Sequence, residues 1–354
     1  MSKPRPSQIL SRTAFGAALA ATVAAAVPTS ATAQGSVTLY GIADVIVEHR
    51  NHMSAAGGSR TSVTSGGMNT SRWGLRGTED LGGGLSAVFN LEAEVGMDTG
   101  AAASSFWGRQ ANVGLQGDFG RVVIGRSYST AYDFLLPFDP MGYAPFYSWA
   151  TSAGAAGTRK DGMLTSASNI VKYEGKFGAV KLGASLGAGE GASTGRYAAL
   201  GAVYEADGLA AVLVMDQRDQ QTGATLKEQV LHAGVSYDMK PVKFFLVQRQ
   251  YKKTPTAGVE QKSSLTWIGA TWAVTPQLDL TPAYYFQQIK SGPITPENPH
   301  LLALRAKYAL SKRTWLYAVA SNAKAKSGVV SVSRDDTAFA DTQSSFGVGI
   351  QHRF

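Results

Sequence analysis

The sequence predicts an all-β protein, a 16-stranded antiparallel transmembrane β-barrel. Three observations point there. After residue 35 almost every segment alternates apolar and polar residues with a period of two, about sixteen times over, with no helical pattern between the repeats. The connectors sort into seven short and eight long ones, which gives an even strand count. No run after the first 33 residues approaches the ~18 apolar residues that a membrane-spanning helix needs. A sheet this long must close or cover its edges, and in lipid closure satisfies every backbone group.

The N-terminal 33 residues stand apart from that pattern. Lys3, Arg5 and Arg12 form a basic opening, Phe15–Val27 is a short apolar stretch, and Ala31-Thr32-Ala33 is an A-x-A cleavage signal. Together they predict a secretory leader over 1–33, with the mature barrel domain at 34–354. Thirteen apolar residues are too few to cross ~30 Å as a helix. Removing three cations lowers the formal charge from +8 to +5. The absence of cysteine excludes disulfides, Cys-ligated zinc and thiol chemistry. No run of Lys or Arg suggests nucleic acid.

The barrel's elements follow in order. Tight turns are expected at Asp80–Gly84, Asp118–Gly120, Gly175–Gly178, Ala206–Gly208, Asp238–Pro241, Thr275–Gln277 and Leu310–Arg313. Long polar connectors are expected at Asn51–Gly67, Met97–Ser105, Tyr128–Arg159, Ala188–Gly195, Gln217–Leu226, Lys253–Gln261, Lys290–Pro299 and Lys324–Thr342. The spacing averages about 20 residues per strand and connector, which leaves room for tilted strands of ~9–11 residues.

Individual strands show two faces. Leu85, Ala87, Phe89, Leu91, Ala93 and Val95 oppose Ser86, Asn90, Glu92 and Glu94. Trp73 and Leu75 oppose Arg72 and Arg76; Leu302, Leu304 and Tyr308 oppose Arg305 and Lys307; Leu265, Trp267 and Gly269 oppose Ser264 and Thr266. An Arg or Lys on the lipid face near the midplane costs ~2–4 kcal/mol, so the apolar parity is expected outside and Arg72, Arg76, Glu92 and Glu94 inside. Aromatics near strand ends (Tyr40, Trp73, Phe119, Tyr173, Phe177, Tyr204, Tyr237, Tyr285, Trp315, Tyr317 and Phe354) are expected as interfacial girdles.

Motifs for catalysis are weak. Asp118-Phe119-Gly120 is a turn without the kinase elements that would give it meaning, and Gly82-Gly83-Gly84 opens no helix. The five histidines show no metal-ligand spacing, apart from a strand-end pair at His49 and His52. No cofactor, metal site or catalytic residue is expected.

Several blocks resemble one family, the general diffusion porins of Gram-negative β-proteobacteria, related to the neisserial porins. These are Ser36–Gly41, Ser71–Leu85 (SRWGLRGTEDLGGGL), Gly108–Ala111, Gly120–Arg126, Leu310–Thr314 and the terminal Val348–Phe354. The resemblance implies a homotrimer of 16-stranded barrels in the outer membrane, each with an inward-folded third extracellular loop. It also implies a C-terminal Phe354 read by the barrel-assembly machinery. Tyr128–Arg159 suits the third loop: it is long for a connector and rich in bulky side chains such as Phe134, Phe138, Tyr147 and Trp149, with two acids, Asp133 and Asp139, before its end.

The function this implies is a water-filled channel for small hydrophilic solutes and ions, with a weak preference for inorganic anions. By resemblance Arg72 and Arg109 occupy constriction positions, and Arg126 matches a pore arginine. Alternation supports Arg72 and Arg76, but gives Arg109 and Arg126 the parity of apolar neighbours. Asp133 and Asp139 would face the cationic wall, and Glu92 and Glu94 would offset it. An arginine that anion-selective relatives carry before the Asn-x-x-x-Tyr strand is replaced here by Thr165–Ser168, with Arg159, Lys160 and Lys172 nearby. Two other readings are a barrel hydrolase, for which His232 lacks an evident serine, and a loop-mediated adhesin or receptor.

Overall fold

The computed structural model describes residues 35–53, 57–151, 162–189, 195–219, 225–291, 298–325 and 341–354. The expected leader, Arg159 and Lys160 lie outside them. The strands are β1 (Ser36–Asn51), β2 (Ser59–Ser65), β3 (Arg72–Gly82), β4 (Leu85–Glu94), β5 (Gln110–Gly117), β6 (Gly120–Tyr128), β7 (Ser166–Phe177), β8 (Val180–Gly187) and β9 (Arg196–Ala206). They continue as β10 (Leu209–Asp219), β11 (Thr225–Met239), β12 (Val242–Pro255), β13 (Gln261–Ala273), β14 (Leu278–Ser291), β15 (His300–Ala309), β16 (Thr314–Lys324) and β17 (Thr342–Arg353). One short helix, α1 (Thr130–Leu135), follows β6.

From β3 to β17 each strand pairs antiparallel with the next, and β1 pairs with β17 from Ile42↔Arg353 to Arg50↔Ser345. On its other side β1 pairs with β3 over Ser36–Ile42 and with β2 over Val45–Asn51. So β2 and β3 are two halves of one stave, broken at residues 66–71. The sheet is therefore a closed antiparallel barrel of sixteen staves without a free edge, which removes the unpaired backbone groups that lipid cannot solvate. β2 lies inside the expected Asn51–Gly67 connector, and the break begins at that connector's end and runs past it to residue 71.

At the seam, Phe354 and Gly41 exchange backbone hydrogen bonds of 3.2 and 3.1 Å. A Cβ on Gly41 would lie 2.3 Å from Phe354 Cζ and 2.6 Å from the Arg72 carbonyl oxygen. The ring of the last residue thus occupies space that any side chain at 41 would need.

Alternation places Leu200, Leu213, Met215, Leu246, Ile268 and Leu304 outward and exposed. Near the tight turns Phe119, Phe177, Tyr204, Tyr237 and Phe354 are also exposed, as a girdle requires. Two expectations about faces need correction. Leu265 and Trp267 are 1% and 0% exposed and share the inner parity, while Ile268 and Trp272 point out. Tyr40, Tyr285, Trp315 and Tyr317 also turn inward rather than to the interfaces. Tyr40 and Trp315 meet polar and charged inner-face groups, while for Leu265, Trp267, Tyr285 and Tyr317 the cause is that the inner wall is not uniformly wetted. The main buried cluster joins Phe134, Leu135, Phe138, Met141, Tyr147 and Trp149, from the connector after β6, to inward residues such as Val214, Val247, Trp267 and Leu301. Period two reports two environments, and here an apolar neighbour replaces water on part of the inner one.

Candidate pore-lining residues

The connector between β6 and β7 is tied to the wall along its described length. Ser129 caps α1, its Oγ accepting from Tyr132 N at 3.0 Å and donating to the Leu164 carbonyl at 2.6 Å. The helix lies against β8, β9 and β10. Glycine permits that approach: a Cβ at Gly183 would sit 2.5 Å from the Phe134 ring. Thr130 meets Ser185 of β8 at 2.7 Å, and Asp133 is ion-paired to Lys172 of β7. Further along, Trp267 Nε1 donates to the Phe138 carbonyl at 3.1 Å, and Arg305 donates to the carbonyls of Met141 and Pro140 at 3.1 and 3.2 Å. Asn69, in the break between β2 and β3, donates to the Gly142 carbonyl at 2.9 Å. Tyr147 OH is 2.9 Å from both Glu48 of β1 and Ser345 of β17. Arg249 donates to the Ala150 carbonyl at 2.9 Å.

Asp139 is buried among these contacts. It accepts from Tyr285 OH at 2.5 Å, Tyr143 N at 2.7 Å, Ser148 Oγ at 2.8 Å and Met141 N at 3.4 Å. Burial pushes its carboxyl up from the usual carboxylate range, and the four donors pull against that. Of the two connector acids, then, Asp133 is held by a wall lysine and Asp139 by four donors.

The arginines divide. Arg72 and Arg76 lie on the inner face of β3, where the register sets them beside Ile42 and Thr38 of β1. Arg76 stacks over Tyr40, with Cζ 5.2 Å from the ring centre. On the other side of β1, Arg353 pairs with the same Ile42 and stacks over Trp315 at 5.2 Å. Arg353 was missing from the sequence-derived set, although alternation read back through Gln351, Gly349 and Gly347 would have shown it. Lys307 completes this stretch of wall and is paired to Asp279 at 3.2 Å.

Glu92 is a junction. It meets Arg109 Nε at 2.7 Å, Tyr40 OH at 2.8 Å and Tyr128 OH, with Arg72 Nε at 4.0 Å. Glu94 takes a second Arg109 nitrogen at 3.3 Å and keeps its side chain 38% exposed. Arg109 thus meets both inner-face acids of β4 despite its apolar-parity neighbours. It precedes Gln110, the first ladder residue of β5, in a segment that is not yet strand, so parity does not apply to it.

Arg126 is placed differently. A register shift between Gly125 and Ser127 takes it out of alternation, and its guanidinium binds the Gly108 carbonyl at 2.5 Å, Ser168 at 2.7 Å and Ser166 at 2.9 Å. A polar cavity of about 280 Å³ nearby is lined by Glu94, Arg109, Arg126, Tyr128, Tyr132 and Tyr143 among others.

Elsewhere the structure offers little for catalysis. His232 is fully buried, and its ring nitrogens have no hydrogen-bond partner among the described residues. No group of metal-binding side chains occurs among the described residues.

A family model described as Gram-negative porin matches residues 20–328. Outer membrane porin protein 32 of Delftia acidovorans is 32% identical over 348 residues, which covers 92% of this chain and 96% of that protein. Major outer membrane protein P.IB of Neisseria meningitidis is 27% identical over 354 residues, covering 95% and 99%. Among solved structures, an anion-selective porin from Comamonas acidovorans aligns with a TM-score of 0.78 at 31% identity, over 91% of this chain and 100% of that one. OmpT of Vibrio cholerae aligns at 0.70 with 15% identity, over 90% and 98%, and so supports the fold alone.

Proposed function

This chain belongs to the Gram-negative porin family, and from that membership we propose how its channel treats ions. It is an outer-membrane porin, and a sixteen-stave barrel is wide enough for an aqueous passage that small hydrophilic solutes cross. The family and fold suggest a channel rather than an enzyme.

The proposed refinement is a weak preference for anions, set where the connector after β6 lies inside the barrel and narrows it. The carrying observation is the charge arrangement on the adjoining strands β3, β1 and β17. Arg72, Arg76 and Arg353 share the inner parity there, while Glu92, 4.0 Å from Arg72, is occupied by Arg109 and two tyrosines, and Asp44 of β1 by Tyr317, Gln351 and the backbone N–H groups of Met68 and Asn69. Support for the inward course of the connector is its contact with β1, β7, β8, β12–β15 and β17 through buried partners. On this reading Asp139 anchors the connector, Asp133 is neutralised by Lys172, and Arg126 braces the wall near the mouth.

Fixed cations beside a narrow aqueous path raise the local anion concentration without binding ions tightly. A unit charge at 4 Å in a bulk-like medium is worth ~1 kcal/mol, or about fivefold in population. A few such charges bias flux and leave it fast. The relative from Comamonas acidovorans described as anion-selective accords with this sign. We further propose a homotrimeric assembly and recognition of Phe354 by the barrel-assembly machinery.

The test is a planar-bilayer recording under a KCl gradient. Large ohmic steps with a reversal potential displaced toward the chloride equilibrium value are expected. A folded barrel without conductance would reject the reading, and a reversal potential on the potassium side would reject its sign.

A further inference from the structure

We propose that the lumen wall between the connector after β6 and the short-turn mouth binds solutes that carry a carboxylate on an aromatic ring, a reading that rests on the anion preference proposed above.

Five adjacent staves each put one side chain into this wall, and cations alternate with rings. In barrel order they are Arg76 of β3, Tyr40 of β1, Arg353 of β17, Trp315 of β16 and Lys307 of β15. Arg76 Cζ lies 5.2 Å from the centre of the Tyr40 ring. Trp315 is flanked from both neighbouring strands, by Arg353 at 5.2 Å and by Lys307 at 5.9 Å. The stripe sits on the short-turn side of the connector. Arg305, which donates to the Pro140 and Met141 carbonyls, precedes Lys307 by two residues on the same face, and Trp315 follows the tight turn at 310–313. Tyr40 and Trp315 are half-buried, whereas Arg76 and Arg353 are exposed.

These cations keep charge to offer. Arg76 forms no ion pair among the described residues, and the hydrogen-bond partners of Arg353, Gln351 at 3.3 Å and Asn69 at 3.4 Å, are neutral. Lys307 alone is shared with an acid, Asp279 at 3.2 Å. Charge by itself would take any anion; the rings narrow the class. A guanidinium takes a carboxylate through paired N–H donors. An aromatic ring joined to that carboxylate is then brought against the indole, where offset or edge-to-face contact is favourable. The second cation attracts the negative face of the same ring. A saturated ring of equal charge and similar size gains apolar contact but neither of these attractions. Contacts this weak hold a solute briefly and release it, as flux requires.

The experiment is conductance of the refolded full-length barrel in KCl, titrated with benzoate, cyclohexanecarboxylate or neutral benzamide. Benzoate should half-block wild type at a concentration about two- to twelvefold lower than cyclohexanecarboxylate, the range that one aromatic pair supplies. Benzamide should block far more weakly than either. W315L should bring the ratio of the two anions toward one, while W315F, which keeps a ring, should retain part of it. R353Q should weaken block by both anions. Equal half-blocking concentrations in wild type, or no block by either anion, would overturn the proposal without any variant having to fold. So would a W315L ratio equal to that of wild type, or block by benzamide as strong as by benzoate. The reversal potential in KCl keeps the two readings apart. A chloride-side potential with equal half-blocking concentrations overturns this inference alone, and a potassium-side potential overturns the anion preference beneath it.

Discussion

Arg109 closes on Glu92, Nε to Oε1 at 2.7 Å, from a position just ahead of the strand whose alternation would have turned it toward lipid. With Tyr40 and Tyr128 also on Glu92, the acid is largely spent within the wall. On the proposed reading, the neighbouring arginines then set the field in the passage.

Replacing Glu92 by glutamine adds one net positive charge to that wall. The reversal potential should move further toward chloride, by no more than about fivefold in permeability ratio. Glu94 still meets Arg109 at 3.3 Å, so the stability loss should stay near ~1–3 kcal/mol. Salt-gradient recordings and urea titration in micelles read the two effects. A shift toward potassium would contradict the assignment.

Arg72→Ala and Arg76→Ala remove inner-face cations and should displace the reversal potential the other way, each by up to about fivefold in permeability ratio. Arg353→Gln should act in the same direction, because its register partner Ile42 is also that of Arg72. If Arg353→Gln left selectivity untouched while Arg72→Ala changed it, the wall cluster would shrink to β3.

Tyr285→Phe deletes the 2.5 Å hydrogen bond to Asp139, and Asp139→Asn removes the charge that four donors face. A hydrogen bond to a charged group is worth ~1.5–3 kcal/mol. Each variant should lose about that much stability and show greater open-channel noise as the connector loosens. Noise indistinguishable from wild type would remove the anchoring role.

Gly41→Val sets a branched side chain where the Phe354 ring and the Arg72 carbonyl already lie. Overpacking of this kind costs about 1–3 kcal/mol. Reduced yield of heat-modifiable barrel on refolding is expected, with partial recovery when Phe354→Ala is added. No defect in the single variant would show that the seam tolerates displacement of the terminal ring.

Much of the barrel was legible because lipid imposes a simple rule. Six of the seven tight turns carry Gly, Pro or Asp, the seventh being Leu-Ser-Lys-Arg at 310–313, and Arg72, Arg76, Glu92 and Glu94 stand on the face their alternation indicates. Trp267 was misread because alternation separates two environments without naming them, and the Phe138–Pro140 stretch packs against its strand. The β2 strand was absorbed into a loop because Gly66 and Gly67 resemble turn residues, although they belong to a break within one stave. Arg109 and Arg126 escaped parity for local reasons, a strand start and a register shift, which no periodic pattern encodes.

The hydroxyl of Tyr147 touches Glu48, 99 residues upstream, and Ser345, 198 residues downstream. Those partners become neighbours only when the opening and final strands meet, so this clasp cannot be fastened on an unfinished ring. The contact therefore records whether β1 and β17 have met. Such distant pairings delay folding, and a molecule stalled short of its last dozen residues would leave Glu48 and Tyr147 without Ser345, the clasp unfastened at that end.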